Sequence, residues 1–143
     1  MDLKFLESMS KIRRRVPDKA RARSLIAASE KTMRNILKMQ VSEETGTIIF
    51  RETYESIRQL GDARWWLLGY EANDHEASIE ILKEEKIARS ARLEKLDRFR
   101  MLRNMANYIG DDIPKASAEE ILEFWRECGK EILEKLKKEV SAE

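Results

Sequence analysis

The sequence predicts an all-α fold, an up-and-down four-helix bundle with one or two extra short helices. Three observations point there. Leu, Ile, Ala, Glu, Lys and Arg dominate a chain that is 42% apolar and 38% charged, with five glycines and two prolines, the composition of packed amphipathic helices. Apolar residues recur at 3.6-residue spacing through four long stretches. No strand-like alternation and no Asn-Gly or Asp-Gly hairpin signal interrupts them. At 143 residues and 16.8 kDa the chain suits one domain, 1–143, with a core of ordinary size. It contains no internal repeat, low-complexity tract or dividing linker.

A short helix is expected over Asp2 to Arg15. Pro17 and Asp18 suit the start of a long one, along which Ala22, Ile26, Ser29, Met33, Ile36, Leu37 and Gln40 share a face toward Val41. Ser42, followed by Glu43 and Glu44, restarts a helix with acids in its first turn. That helix carries Ile49, Thr53, Ile57, Leu60, Arg64 and Leu67, is weakened locally by Gly46 and Gly61, and stops at Gly69. Asn73 and Glu76 form a capping-box-like pair before a short helix through Lys86, with Ile79 and Leu82 inward. The next helix runs from about Ala88 to Ile109 on a stripe of Ala88, Leu96, Phe99, Leu102, Ala106 and Ile109, with Gly110 at its C-terminus. Ser117 to Glu120 is an S-x-x-E capping box before the last helix. There Ile121, Leu122, Trp125, Cys128, Gly129, Ile132, Leu133, Leu136 and Val140 give the cleanest periodicity in the chain.

Several function classes are excluded by what is scarce. Cys128 is the only cysteine, so no intramolecular disulfide forms, and its place between Trp125 and Ile132 predicts a buried structural thiol. His75 is the only histidine, which rules out a His-based metal cluster within one chain and leaves a Ser-His-Asp triad one possible base. No metal site or cofactor is expected. No apolar run approaches the roughly 20 residues that span a bilayer, and MDLKFLESMSKIRRR lacks a signal peptide's apolar region, so a cytoplasmic protein without membrane contact is expected. Glutamine occurs only at 40 and 59, a thermophile-like bias toward ion pairs.

Charge is unevenly placed. The first 41 residues hold 11 basic and 4 acidic side chains, so this third is +7 within a chain of net +1. Lys11, Arg13, Arg14, Arg15, Lys19, Arg21 and Arg23 crowd the turn around Pro17. They make either a solvated helix junction or a face for phosphates or an acidic partner. Trp65 and Trp66 point about 100° apart on their helix, so one is expected in the core and the other against a neighbour, expected to be a second subunit.

The helix stretch from Arg98 to Gly110 holds three arginines, two asparagines and a tyrosine but no acid. At 100° per residue, Arg103 lies on the shoulder of the apolar stripe, Arg100, Asn104 and Asn107 follow beside it, and Tyr108 flanks Asn104. Such a ribbon needs acceptors from outside its own helix. Either another helix supplies a carboxylate, for example Asp62 or Glu55, or the ribbon waits for a ligand's phosphate oxygens and base edges.

LRNMANYIG, Leu102 to Gly110, resembles the R-N-x-x-x-[HY] signature of the HEPN superfamily, small nucleotide-binding helical bundles. ARWWLLGYEANDHEASIEIL, Ala63 to Leu82, resembles the stretch in which such proteins carry a helix ending in an apolar cluster and Gly-Tyr, then a histidine and another helix. The resemblance implies a bundle of four or five helices that dimerises with its motif segments facing one another across a cleft. It also implies a metal-independent endoribonuclease, often a toxin or antiviral effector, or a non-catalytic partner of a small nucleotidyltransferase in a toxin-antitoxin-like pair. Arg103 matches the motif's arginine and Asn104 its next polar position. Tyr108 departs from the motif histidine, and a phenol with pKa near 10 is a poor proton shuttle where an imidazole near 6.5 is a good one.

Three readings follow. In the first, a homodimeric module binds RNA or nucleotide phosphates through Arg100, Arg103, Asn104, Asn107 and Tyr108, with weak or no catalysis. In the second, Arg103 and Tyr108 cleave RNA, with His75 a distant candidate for the missing imidazole. In the third, the ribbon is structural and the bundle holds a nucleotidyltransferase partner.

Overall fold

The computed structural model describes residues 1–110 and 112–142, without the side chains of Tyr108 and Ile109. It is mostly helical, with one small two-stranded sheet. Helix α1 covers Leu3–Ser8, α2 Lys19–Ile36, α3 Gly46–Leu68, α4 His75–Glu80, α5 Lys95–Ile109, α6 Lys115–Phe124 and α7 Lys130–Ser141; strands β1 and β2 cover Ile12–Arg14 and Tyr70–Ala72. Among the described residues no helix is long and apolar enough to cross a membrane.

Helices α2 and α3 lie antiparallel. The Asp18 amide donates to the Trp66 carbonyl at one end, and Ser29 Oγ donates to the Ser56 carbonyl midway, both bonds near 3 Å. Helices α6 and α7 run alongside them in the direction of α3. The Ile113 amide, just before α6, donates to Thr47 Oγ1 near the start of α3, and Arg64 near the end of α3 pairs with Glu139 of α7. Between these helices sit Ile26, Met33, Ile49, Ile57, Leu60, Ile121, Cys128, Ile132 and Leu136, all buried. Helix α5 meets α3 through Phe99, whose ring stands edge-on to Phe50 and to Phe124 at centroid distances of 6.1 and 5.3 Å. Such edge-to-face pairs add to the gain from simple burial.

The four long periodic stretches are helical, and several boundaries differ from expectation. The first helix ends at Ser8 rather than Arg15 because Ile12 to Arg14 is an extended strand, paired antiparallel with β2 so that Ile12 faces Ala72 and Arg14 faces Tyr70. Only Ile12 is buried in that strand. Helix α2 stops at Ile36, short of Val41, and α3 starts at Gly46 rather than Ser42. Between them, Thr45 Oγ1 accepts from the Ser42 amide and donates to the Gln40 carbonyl, 2.9 and 2.7 Å, so the Ser42 and Thr45 side chains serve a turn instead of a helix start.

Asp74, not Asn73, caps α4, its side chain accepting from the Ala77 amide at 2.8 Å, while Asn73 binds the Ser10 and Lys11 carbonyls. That helix tightens into a 3₁₀ turn over Ile81–Glu84, and a second 3₁₀ turn over Ser90–Glu94 delays α5 to Lys95. Helix α6 begins after Pro114, so Ser117 lies buried inside it and is not its cap. Gly69 and Gly110 end α3 and α5 with φ of 88° and 79°, the left-handed conformation that glycine adopts without strain.

Candidate functional site

The acid-free ribbon of α5 faces the middle of α3 and the start of α4. On α3, Tyr54, Glu55, Arg58 and Asp62 recur at helical spacing along one edge. Asp62 and Glu55, two examples of acids that could have closed the ribbon, are engaged by Arg58. Its Nη1 donates to Asp62 Oδ2 at 2.6 Å, its Nε donates to Glu55 Oε2 at 2.9 Å, and its Nη2 bonds Glu55 Oε1. An arginine at i+3 from one acid and i−4 from the other intercepts both.

The α5 arginines therefore fare differently. Arg98 pairs with Glu120 of α6 at 3.0 Å, and Arg100 lies 3.7 Å from Glu76 of α4. Arg103 makes no ion pair among the described residues; its side-chain hydrogen bond is a long one, 3.5 Å from Nη1 to the Oδ1 of neighbouring Asn104. Half-buried, its guanidinium lies 5.8 Å from the centroid of the Tyr54 ring. Asn107 is exposed one turn on, and the side chain of Tyr108 lies outside the described residues.

Beneath this edge two polar atoms are buried without a partner, the Tyr54 hydroxyl and Arg100 Nε. Burial raises the Tyr54 hydroxyl above its usual pKa of 10.0, against the lowering effect of Arg103 and Arg100, so it stays a neutral donor. Burial also raises Asp62, though the hydrogen bond from Ser78 and the charge of Arg58 oppose this.

His75, a distant candidate in the sequence, lies next to this edge. It stands 28 positions before Arg103, opens α4 and is half-buried. Its pKa is pushed below the usual 6.5, by burial first and then by the charges of Arg58 and Arg103. It is thus a neutral imidazole at neutral pH, able to accept a proton. Arg58 was missed; its signal was the Glu55, Arg58, Asp62 spacing.

Trp65 enters the core as expected of one of the two tryptophans. Trp65 is buried and its Nε1 donates to the Ala77 carbonyl at 2.8 Å, whereas Trp66 carries the Arg21 guanidinium of the same chain over its ring at 4.6 Å. The basic cluster around Pro17 is partly structural. Arg13 and Arg15 share Glu71, and Lys19 and Arg23 donate to the Ala142 and Val140 carbonyls at the end of α7, where cations suit the helix dipole. Cys128 is a buried free thiol.

No family model matches the chain, and no curated protein or solved structure matches it.

Proposed function

We propose that this protein is a HEPN-like helical module that binds RNA or nucleotide phosphates at the α3–α4–α5 edge, with Arg103 as the principal anion contact and Arg100, Asn104 and Asn107 beside it. One observation carries the reading: Arg103 lacks a carboxylate among the described residues although two acids lie on the facing helix, because Arg58 has taken both. A half-buried guanidinium without an anion matches the planar, bidentate recognition of phosphate that favours arginine. A homodimer that sets two such edges face to face would double the cationic surface.

The test is RNA binding at low salt, where phosphate contacts dominate affinity. Arg103→Ala is expected to weaken binding several-fold and to flatten its salt dependence by about one phosphate contact. Unchanged affinity in that variant would overturn the reading.

The position of His75 favours a second reading, metal-independent RNA cleavage. A neutral imidazole near Arg58 and Arg103 is a candidate base for a ribose 2′-hydroxyl. That oxygen would bond to the adjacent phosphorus as the P–O5′ bond breaks, with arginines stabilising the charge that develops on the phosphoryl oxygens. It predicts cyclic-phosphate ends in the presence of EDTA that disappear in His75→Gln. Intact RNA with the wild-type protein would dismiss it.

A further inference from the structure

A cleft of about 380 Å³ opens between α2, α3 and β2, walled by Arg21, Leu25, Asp62, Trp66, Glu71 and Ala72. It borders the Arg103 edge through Asp62, which lines the cleft while accepting from Arg58. Its size lies in the range of small-molecule sites, roughly 300–1,000 Å³.

Its walls combine three features. Trp66 is half-buried and bears the Arg21 guanidinium on its ring. Among the described residues that guanidinium has no carboxylate partner, so the ring holds it and a competing flat group can take its place. Two carboxylates face the cleft with acceptor capacity to spare. Glu71 receives Arg13 and Arg15 on Oε1 alone, and Asp62 receives Ser78 on Oδ1 and Arg58 on Oδ2, leaving a lone pair on each oxygen. Leu25 and Ala72 add apolar surface.

We infer that this cleft takes the guanine base of a nucleotide, stacked on Trp66, with N1–H and N2–H₂ directed at the carboxylates of Asp62 and Glu71. Stacking alone tolerates every base. The carboxylates discriminate, because an ionised carboxylate only accepts. Guanine presents two adjacent donors on its Watson–Crick edge. Adenine and cytosine present a ring-nitrogen acceptor beside their amino group, and uracil sets one donor between two carbonyls. Burial works to raise the Glu71 pKa, but Arg15 and Arg13 together hold it below its usual value. The inference rests on the nucleotide-binding reading and names the base which that reading leaves open.

The three tryptophans allow a direct test. Trp65 and Trp125 are buried, so the indole N–H resonance of Trp66, assigned with Trp66→Phe, reports on the cleft. Titrating the ¹⁵N-labelled protein with GMP is expected to move that resonance and leave the other two in place. AMP, CMP and UMP are expected to bind roughly tenfold more weakly, the discrimination of a good paired contact. Glu71→Gln should bring GMP down to the level of AMP; if that variant loses its native spectrum, Asp62→Asn provides the same comparison. A Trp66 resonance unmoved by GMP, or moved equally by all four nucleotides, would overturn the inference. Ribose 5-phosphate separates the two claims. It is expected to bind through Arg103 without moving Trp66, and its loss in Arg103→Ala tests the phosphate site independently of the base.

Discussion

The Arg103 guanidinium carbon lies 5.8 Å from the centroid of the Tyr54 ring, and the hydroxyl of that ring is buried without a hydrogen-bond partner. A cation is thus held against an aromatic face rather than an acid, and the polar atom next to it is left unsatisfied. Replacing an unsatisfied buried hydroxyl by hydrogen removes a desolvation cost of about 1–3 kcal/mol. Tyr54→Phe is therefore expected to leave the melting temperature unchanged or higher. A clear drop in melting temperature would show that the hydroxyl is satisfied in the folded protein.

The seam between α3 and α4, which places His75, has no room for a methyl group. A Cβ on Gly61 would overlap the Ser78 carbonyl oxygen, and both chains there are backbone. Gly61→Ala, favourable to an isolated helix, is expected to cost at least about 3 kcal/mol here, at the upper end of overpacking effects. Urea unfolding measures it; a stabilised variant would contradict the close approach.

Arg64 of α3 donates to Glu85 at 2.7 Å and to Glu139 of α7 at 2.6 Å. Glu85 is buried, 7% exposed, and Lys135 also reaches it at 3.3 Å. Arg64→Ala would strand a buried carboxylate with one lysine, and a loss of roughly 3 kcal/mol is expected. Glu139→Ala, which removes the exposed partner, is expected to cost under about 1 kcal/mol. Equal losses from the two variants would mean that burial of Glu85 does not govern this network.

Acid should weaken the fold in two stages. Burial, with the charges of Arg58 and Arg103, lowers the His75 pKa, so folding favours the neutral ring. That contribution is complete above the unfolded value near 6.5 and is lost as pH falls through the lower folded value. The hydrogen bond from Arg64 holds Glu139 below 4.5, so its contribution is present above 4.5 and is lost on further descent. Urea midpoints between pH 7 and 5 are expected to fall more for the wild type than for His75→Gln. Superimposable profiles would show that His75 is not held neutral by the fold.

Much of the helical frame was legible because burial follows periodicity. Ala22, Ile26, Ser29, Met33 and Ile36, all on the expected stripe of α2, are buried, and Ile132, Leu133, Leu136 and Val140 are buried on α7. The strands were not legible. Three residues each, they carry no alternation, and a two-stranded pair of that length persists only with tertiary support, here from Ile12 in the core. The α6 cap was misread because Ser117 and Glu120 have the right spacing, while Pro114, three residues earlier, already starts the helix. At the candidate site, Arg100 and Arg103 were singled out by the acid-free run from Arg98 to Gly110. The convergence of His75 with them was not legible, since it depends on how α4 docks against α3.

Between α6 and α7, residues Trp125–Gly129 form a π turn, and Cβ on Gly129 would run into the Trp125 indole. The two helices are thus one rod with a single supernumerary residue wound into it, and the glycine leaves space for the ring that the widened turn displaces. Everything downstream is phased by that insertion. Excising one residue there would restore an ordinary helix and rotate the remaining length by about 100°, swinging Leu136 and Val140 into water and lysines inward. For this segment, then, the number of residues is under tighter constraint than the identity of most of them.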